Sequence, residues 1–300
     1  MTPKIDNSFK SGYVAIIGQP NVGKSTLLNQ LLDFKVASVS RKPQTTRHRI
    51  TGILSGAGFQ VVFLDTPGLL EPKYKLQEAM LRASQRAAQE ADVGLFMVTA
   101  HPKANEHDVE HLMALKQIQS KVILAINKVD LIQKEQLLPL MDFYINVTDL
   151  TAVVPISALK ADGLTELRQE IIKALPNGRP FYDADQVMDH PERFLVSEII
   201  REKIFLLYGA EIPYSTTVTI EEFKERTKAK DYIRATVYVE KKSQKGILIG
   251  KKGEALKKVG AAARKEIEAT LDRQVFLELW IKVKEKWRDD EKMLKEFGYL

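Results

Sequence analysis

The 300-residue sequence contains no cysteine, and this absence removes several kinds of chemistry. Without thiols the chain forms no disulfide bond, no thiolate metal site and no cysteine nucleophile, and it suits a reducing cytoplasm. Long apolar runs are also missing, since none approaches the roughly 20 residues that a membrane-spanning helix needs. Residues 1–10 lack the apolar core of a signal peptide and the composition of a transit peptide. With 44% hydrophobic and 28% charged residues, the composition is typical of a soluble globular protein.

Positive charge is modest overall but is concentrated in one part of the chain. The formal net charge is +6, from 45 Lys and Arg against 39 Asp and Glu. Residues 224–265 hold 14 basic and 4 acidic residues, a surplus of ten positive charges in 42 positions. Such a surplus favours an anionic partner, with nucleic acid first and a membrane surface second. A solvated lysine-rich face is the alternative that composition leaves open.

A glycine-rich stretch with the sequence GQPNVGKST, residues 18–26, organises the first half of the chain. Its spacing is G-x-x-x-x-G-K-[ST], and it lies between a buried-strand pattern at 13–17 and a helical pattern at 24–32, as a phosphate loop requires. Its backbone N–H groups and the helix N-terminus favour a phosphate chain. Lys24 supplies a cation for the outer phosphates, and Ser25 supplies a hydroxyl for Mg²⁺. The predicted nucleotide contacts are Gly18, Gln19, Pro20, Asn21, Val22, Gly23, Lys24, Ser25 and Thr26.

Residues 11–175 alternate short apolar runs with amphipathic helical patterns. This alternation predicts an α/β domain with a mostly parallel sheet and helices on both faces. In such sheets ligands bind at the carboxyl ends of the strands, where the remaining motifs of this half fall. The predicted strands are 13–17, 50–54, 59–64, 94–99, 121–126 and 152–156, and the predicted helices are 24–32, 75–91, 106–117 and 164–175.

Two short motifs, DTPG at residues 65–68 and KPQTTR at residues 42–47, predict the contacts to the metal and the γ-phosphate. Asp65 follows the third strand and can reach Mg²⁺, while Gly68 can lend its N–H to a γ-phosphate. A GTPase also needs a threonine on a mobile loop that closes on Mg²⁺ when the γ-phosphate is present. We assign that role to Thr46, with Thr45 as the second candidate. The predicted metal ligands are Ser25, Thr46 and Asp65, and the further nucleotide contacts are Asp65, Thr66, Pro67, Gly68 and Leu69.

The sequence NKVD, residues 127–130, predicts which base is bound. Guanine carries an N1–H and a 2-amino group that adenine lacks, and the carboxylate of Asp130 can accept from both. Asn127 can contact the ring edge, and the stem of Lys128 can cover the ring face. A site built around such a carboxylate rejects bases without those donors by about 10⁴ or more. The predicted base contacts are Asn127, Lys128, Val129 and Asp130, followed by Ser157 and Ala158, which can offer a main-chain N–H to the guanine oxygen.

The motifs at 18–26, 65–68, 127–130 and 157–158, in this order, predict a guanine-nucleotide-binding domain over residues 1–178. The Pro- and Gly-rich stretch at 175–180 and the acidic, irregular stretch at 183–191 predict a linker over 179–192, which a second domain over 193–300 follows. The second domain has the order helix, strand, strand, helix, helix, strand, which is the α+β pattern of a type II KH domain. The sequence IGKKG at 249–253 joins its two central helices. A G-x-x-G loop lets a nucleic-acid backbone approach closely, and its lysines attract phosphates. The predicted RNA contacts are Ile247, Ile249, Gly250, Lys251, Lys252 and Gly253.

Trp280 and the C-terminal tail each have two interpretations. Trp280 lies on a predicted strand, where we favour packing over stacking on a base. The tail, residues 287–297, reads as a charged amphipathic helix, and we expect it to cover the sheet rather than touch a membrane.

A GTPase domain followed by one KH domain resembles the bacterial Era family over nearly the whole chain. The motifs that carry the resemblance are those at 18–26, 44–48, 65–68, 127–130, 201–203, 213–215 and 249–253. The resemblance implies a monomeric switch that binds GTP with Mg²⁺, hydrolyses it slowly, and binds small-subunit rRNA near its 3′ end to assist assembly of the small ribosomal subunit. It also implies a cytoplasmic protein with loose association with the inner face of the cell membrane.

Leu69 stands where many GTPases place the glutamine that orients the attacking water. An apolar side chain cannot orient water by hydrogen bonding, so either intrinsic hydrolysis is slow or another element does this work. The predicted catalytic residues are Lys24, Asn21, Thr46 and Gly68. The sequence resembles the GTPases in which a hydrophobic residue replaces that glutamine. In several of them an asparagine at the position of Asn21 helps hold K⁺ in place of an arginine finger. Asn21 either does so here or only shapes the loop.

Two other classes of function remain as alternatives. One is a GTPase whose KH domain engages a protein or membrane partner rather than rRNA. The other is an RNA-binding scaffold with a vestigial nucleotide site, which the intact Lys24, Ser25, Asp65 and Asp130 argue against.

Overall fold

Two separate β-sheets organise the residues that the computed structural model describes, which are 8–119, 121–227 and 229–300. The chain divides around them into two units. The division after Asp189 falls within the stretch 179–192 that we predict to be a linker. The N-terminal unit contains the chain up to Ala37, Thr46–Glu71 and Met80–Asp189, and the C-terminal unit contains Ser38–Thr45, Pro72–Ala79 and His190–Leu300.

The N-terminal sheet is mostly parallel, as predicted. Its order is β2-β3-β1-β4-β5-β6, and β2 alone among these strands runs antiparallel to its neighbour. Because β1 lies between β3 and β4, the strand order reverses at the carboxyl end of β1, which is where open α/β sheets form their ligand crevice. The strands are β1 (Lys10–Gly18), β2 (Ile50–Gly56), β3 (Phe59–Asp65), β4 (Val93–Thr99), β5 (Val122–Asn127) and β6 (Ala152–Ile156).

Helices follow most of these strands and bury them. Every residue of β5 is buried, as expected for a strand covered on both faces. The helix α4, which contains Pro139, lies in a stretch for which no helix is named from the sequence. A continuous core joins β1, β3, β4 and β5 to α2, α3 and α4. The helices are α1 (Lys24–Leu32), α2 (Lys75–Glu90), α3 (Glu106–Ile118), α4 (Lys134–Val147) and α5 (Leu164–Ala174).

The C-terminal unit has the element order predicted for a type II KH domain. Its sheet has the order β7-β8-β9, with β7 antiparallel and β9 parallel to the central β8. One face of this sheet forms the core, where Ile233, Ala235 and Val237 of β8 are fully buried. The elements are α6 (Glu192–Leu207), β7 (Thr217–Lys224), β8 (Asp231–Val239), α7 (Lys242–Ile249), α8 (Glu254–Leu271), β9 (Val275–Val283) and α9 (Glu291–Glu296).

The C-terminal tail covers part of the other face of this sheet, which confirms the predicted cover. Trp287 is fully buried, and its Nε1 donates to the main-chain oxygen of Ser215 at 2.9 Å. The ring of Phe297 lies 4.9 Å from that of Tyr238 on β8. The interpretation of Trp280 as a packing residue is wrong, because 54% of its surface is exposed. Within the described ranges, no helix is both long and apolar enough to cross a membrane.

Candidate nucleotide site and nucleic-acid interface

The phosphate loop joins β1 to α1 at the reversal point of the N-terminal sheet. Gly23, just before the helix, has a φ of 105°, which favours glycine. A Cβ at Gly23 would lie 2.3 Å from the side-chain nitrogen of Asn127, so a larger residue would displace part of the predicted base site. Asn21 has a φ of 64° and an exposed side chain. Gln19, Pro20 and Val22 complete the loop, and Thr26 lies in the first turn of α1.

Lys24 is buried inside this loop. Its Nζ donates to the main-chain oxygens of Gly18, at 3.0 Å, and of Gln19, at 2.9 Å. Burial lowers the pKa of Lys24 to about 8, although the charge of Asp65 opposes this effect. A phosphate chain beside the ammonium would favour its charged form. Lys24 is therefore placed to bind the outer phosphates, as the sequence predicts.

Three oxygen-bearing side chains meet beside Lys24. The Oγ of Ser25 donates to Oδ2 of Asp65 at 2.7 Å and lies 2.8 Å from the Oγ1 of Thr46. Thr46 also lies 3.5 Å from the same carboxylate oxygen. The sequence draws these residues from α1, the loop before β2 and the end of β3, and the fold brings them together. Thr46 is thus preferred over Thr45, whose hydroxyl is bonded to Lys42 and Ser40 instead.

This cluster fits a magnesium ion. Burial raises the pKa of Asp65 to about 6, against the opposing effects of Lys24 and of hydrogen bonds from Ser25 and Thr46. The other carboxylate oxygen, Oδ1, is buried and has no hydrogen-bond partner among the described residues. Hydroxyl and carboxylate oxygens are the ligands that Mg²⁺ prefers, and a divalent cation would hold Asp65 ionised. Ser25, Thr46 and Asp65 therefore have the chemistry that the predicted metal requires.

The segment after Asp65 packs against the phosphate loop. The Thr66 hydroxyl donates to the main-chain oxygen of Ile16 at 2.7 Å, and the Pro67 oxygen accepts from Ser84 at 2.9 Å. A Cβ at Gly68 would lie 2.6 Å from the main-chain nitrogen of Pro20, so this close approach requires glycine. The Leu69 N–H donates to the Gly18 oxygen at 3.1 Å, and its side chain packs against the hydrophobic core.

Asn127 connects the phosphate loop to the predicted guanine contacts. Its side-chain nitrogen donates to the Val22 oxygen at 2.7 Å, and its side-chain oxygen accepts from the Ala158 N–H at 2.9 Å. The N–H that we assign to the guanine oxygen is thus bonded to Asn127 here. Lys128 Nζ donates to the Asn21 oxygen at 2.7 Å, and burial lowers its pKa against the effect of Asp130.

Asp130 is placed at the end of this site by two neighbours. The Ser157 hydroxyl donates to its Oδ1 at 2.7 Å, and Lys160 Nζ lies 4.0 Å from its Oδ2. Val129 lies between Lys128 and Asp130 in a short 3₁₀ turn. Sequence reasoning missed Lys160, although it lies three positions after the Ser157 that it accompanies.

The G-x-x-G loop of the C-terminal unit has the backbone that its glycines predict. Gly253 has a φ of 80°, and no atom of the described residues lies within 4 Å of the position that a Cβ would take, so the space beside it is open. Lys251 and Lys252 are exposed, and Lys252 has a φ of 51°. Gly250 is half-buried, and a Cβ there would lie 2.6 Å from that of Ala255. Ile247 is 56% exposed and Ile249 is half-buried.

A groove of about 500 Å³ begins at this loop and runs between α8 and the edge strand β9. Gly260 and Ala261 keep its α8 wall low, while Lys257 and Arg264 provide positive charge. Its β9 wall includes Phe276. This wall was not predicted from the sequence. The run of small residues at 260–263, within a predicted helix, was the signal that could have indicated it. The groove suits a strand of nucleic acid whose backbone approaches Gly253.

The loop that precedes Thr46 is held by α6 of the C-terminal unit. Arg201 is buried, donates from Nε to Glu198 at 2.8 Å, and donates from Nη2 to the main-chain oxygen of Thr45. The Val39 N–H donates to the carboxylate of Glu202 at 2.7 Å. In the sequence, residues 201–203 stand out only as a motif of the family resemblance. In the structure, Arg201 also contacts Thr45, the residue that precedes Thr46.

Both halves of the chain match known families. The family described as 50S ribosome-binding GTPase matches residues 13–128, and the KH domain family matches residues 211–288. GTPase Era of Ruminiclostridium cellulolyticum is 47% identical over 97% of this chain and 98% of its own length. GTPase Era of Geobacter metallireducens is 48% identical over 98% of this chain and 99% of its own length.

Two solved structures share the whole architecture. A crystal structure of an Aquifex aeolicus Era variant bound to GDP·AlF4⁻ has a TM-score of 0.94 and 42% identity. A crystal structure of Era in complex with MgGDPNP and nucleotides 1506–1542 of 16S ribosomal RNA has a TM-score of 0.93 and 43% identity. Each similarity covers 97% of this chain and 99% of the other.

Proposed function

The chain belongs to the Era family of GTPases, and we propose that it couples GTP hydrolysis at the phosphate loop to binding of the 3′ end of small-subunit rRNA in the KH groove. As a member of this family it is a GTPase that uses Mg²⁺ and binds rRNA. The observation that carries the nucleotide half is the cluster of Ser25, Thr46 and Asp65 beside buried Lys24, in which one carboxylate oxygen has no hydrogen-bond partner among the residues that the structure describes. Because that RNA belongs to the small ribosomal subunit, we propose that the protein assists assembly of this subunit.

We assign the roles at the nucleotide site as follows. Lys24 exchanges its bonds to the Gly18 and Gln19 oxygens for the outer phosphate oxygens. Ser25 and Thr46 supply hydroxyl ligands to Mg²⁺, and Asp65 holds the ion directly or through water. The metal neutralises charge that develops on the phosphates. The main-chain N–H of Gly68 binds the γ-phosphate, and Asp130 selects guanine.

The attacking water requires a group other than Leu69, whose side chain packs against the core. The exposed Asn21 side chain is available to hold K⁺ at the phosphates, with loop shaping as its alternative role. Hydrolysis rates in potassium chloride and sodium chloride, for the wild type and Asn21→Ala, separate the two roles. We expect faster hydrolysis in potassium that Asn21→Ala removes, whereas equal wild-type rates would leave Asn21 with loop shaping alone.

The KH half of the proposal is supported by the groove beside Gly253 and by its cations. Gly250 and Gly253 admit the RNA backbone, Lys251 and Lys252 attract its phosphates, and Ile247 and Ile249 contact bases from the α7 side. The competing function is a KH domain that engages a protein or a membrane. RNA affinity that falls steeply with salt and depends on base sequence would argue against both competitors.

The switch is supported by the hydrogen bond from Arg201 to the Thr45 oxygen. Thr45 precedes Thr46 directly in the chain. Movement of Thr46 toward Mg²⁺ would therefore displace Thr45, whose main-chain oxygen accepts from Arg201 of α6. We propose that this linkage changes the RNA affinity of the KH domain. Affinity for a single-stranded RNA matching the rRNA 3′ end, measured with a GTP analogue, with GDP and without nucleotide, tests it. Equal affinity in all three states would separate the two activities.

The remaining assignments complete the proposal. We place the GTPase domain at 1–178, the linker at 179–192 and the KH domain at 193–300, although residues 1–7 lie outside the described ranges. We further propose that the chain acts in the cytoplasm, where its ribosomal partner lies, and that it is a monomer, and peripheral association with the membrane is a proposal that vesicle sedimentation tests.

A further inference from the structure

The outer face of the KH sheet carries side chains that the nucleotide and RNA sites do not use. Even-numbered residues of β8 face away from the core, because Ile233, Ala235, Val237 and Val239 are buried on the other side. β9 runs beside β8 with Tyr232 opposite Phe276 and Thr236 opposite Trp280. Paired residues of neighbouring strands share a face. Phe276 and Trp280 therefore lie on the outer face with Tyr232.

The C-terminal tail covers only one end of this outer face. Tyr238, near the end of β8, contacts Phe297 and is 8% exposed. At the other end Phe276 is 56% exposed and Trp280 is 54% exposed. The rings of Tyr232 and Phe276 lie 6.0 Å apart at an angle of 13°. We call Tyr232, Phe276 and Trp280 the aromatic strip. Strand geometry separates Phe276 from Trp280 by about 13 Å.

The aromatic strip is continuous with the KH groove. Phe276 is part of the β9 wall of that groove and also stacks with Tyr232 on the outer face. Because β9 is the edge strand, a chain that leaves the groove at Phe276 passes onto the outer face without crossing another strand. A KH loop clamps about four nucleotides, so a longer RNA must continue beyond it.

The charges around the aromatic strip complement a polyanion. Four cations, Lys224, Arg226, Arg234 and Lys282, surround it on the outer face, against the three carboxylates of Glu221, Glu222 and Glu278. The guanidinium of Arg226 lies 5.5 Å from the Tyr232 ring centre. All three carboxylates are engaged within the protein, since Glu221 accepts from the Tyr238 hydroxyl, Glu222 pairs with Lys224 and Arg234, and Glu278 accepts from the Tyr232 hydroxyl. The face therefore has a surplus of one positive charge.

We propose that the aromatic strip is a second RNA subsite, which stacks bases of single-stranded RNA that continues from the KH groove around the edge of β9. This inference rests on the proposed RNA binding in the groove. Aromatic rings stack bases with little dependence on sequence, and nearby arginines add attraction for the backbone. The RNA is held in the groove by its backbone and on the strip by its bases.

Affinity as a function of RNA length tests the proposal. The probes are a single-stranded RNA of about four nucleotides and one about three times as long. We expect the wild type to bind the longer RNA more tightly, and Trp280→Ala to weaken only the longer RNA, by about five- to a hundredfold. Leu207→Ala, which truncates a side chain of similar exposure on α6, should change neither affinity.

Tryptophan fluorescence gives a second readout that does not depend on the alanine variant. The sequence has two tryptophans, of which Trp280 is exposed and Trp287 is buried. We expect the longer RNA to quench the emission of the wild type and to leave that of Trp280→Phe unchanged. The remaining Trp287 emission reports whether each variant is folded.

Each contrary result identifies what has failed. If the wild type binds the short RNA but gains nothing from length, or if Trp280→Ala binds both as the wild type does, the strip is not a subsite while the groove stands. If neither RNA binds, both the groove and the strip are wrong. If vesicles with anionic phospholipid shift the Trp280 emission and the longer RNA does not, the outer face is a membrane surface and the proposal is overturned.

Discussion

The nucleotide site and the KH groove are built in opposite ways. At the nucleotide site, polar side chains are fixed by hydrogen bonds within the protein, as Asn127 is by the main-chain oxygen of Val22 and the main-chain N–H of Ala158, at 2.7 Å and 2.9 Å. In the groove, the walls are apolar or small apart from Lys257 and Arg264, and Gly253 has open space beside it. The nucleotide site is held by bonds within the protein, and the groove leaves room for a flexible chain.

This difference predicts how each site responds to substitution. A polar site loses most when one member is removed, because its buried partners are left without a bond. A groove defined by backbone and small side chains loses most when atoms are added. Substitutions at the two sites test this contrast, from the largest expected effect to the smallest.

Asp130→Asn should cause the largest change. The asparagine oxygen can still accept from the Ser157 hydroxyl, so the loop should keep its position. It cannot accept two guanine donors as a carboxylate does, and the preference for guanine over xanthine nucleotides should fall by about 10⁴. Competition between GTP and XTP for a fluorescent GTP analogue measures this. Asp162→Asn, an exposed change in the same loop region, is the control, and an unaltered guanine preference in Asp130→Asn would contradict the base assignment.

Lys24→Ala should follow in size. The substitution removes the buried cation that we propose binds phosphate, and leaves the oxygens of Gly18 and Gln19 without their donor. We expect about a hundredfold weaker binding of GTP with Mg²⁺, measured by calorimetry. Lys134→Ala, at an exposed helix start, should bind normally. Normal binding by Lys24→Ala would mean that the loop holds phosphates by its main chain alone.

Gly253→Asp tests the opposite behaviour, in which added atoms are harmful. It places a carboxylate and a side chain where an RNA backbone should approach, at a φ of 80° that disfavours non-glycine residues. RNA affinity should fall by about tenfold or more, while GTP hydrolysis stays normal. Gly209→Asp makes the same change at a glycine with open space and an ordinary φ. Equal RNA binding by the two variants would remove the KH loop from the interface.

The same contrast explains how far the sequence predicts each site. Lys24, Ser25, Asp65 and Asp130 each follow a buried strand at a known spacing, so the carboxyl edge of one sheet collects them. The need for one such hydroxyl narrows the choice to Thr46 and Thr45, and only the structure, which brings the Thr46 hydroxyl to Ser25 and Asp65, separates the two. The fold class of the first half follows from the alternation of apolar runs and helical patterns, and that of the second half follows from its element order, whereas the strand order of each sheet comes from the structure.

The groove and the outer face could not be predicted residue by residue. Their walls pair α8 with β9, and only the tertiary fold decides which face of each element is left open. Trp280 shows the difficulty, because its alternation on β9 is equally compatible with a covered and an exposed face. Trp280 is exposed because the C-terminal tail covers the end of the sheet at Tyr238 and leaves the end at Trp280 open.

Arg201→Lys should have the smallest effect, and it tests whether the two sites communicate. The guanidinium of Arg201 binds Glu198 and the Thr45 oxygen together, which a single ammonium cannot reproduce in the same geometry. A positive charge still faces buried Glu198, so the variant should fold. Coupling between sites is typically about 5- to 150-fold, and we expect Arg201→Lys to lower the ratio of RNA affinities with GTP analogue and with GDP by several-fold. Arg193→Lys, exposed on the same helix, should keep the wild-type ratio. If both variants keep it, the Arg201–Thr45 bond is structural and does not carry the link between the nucleotide site and the RNA site.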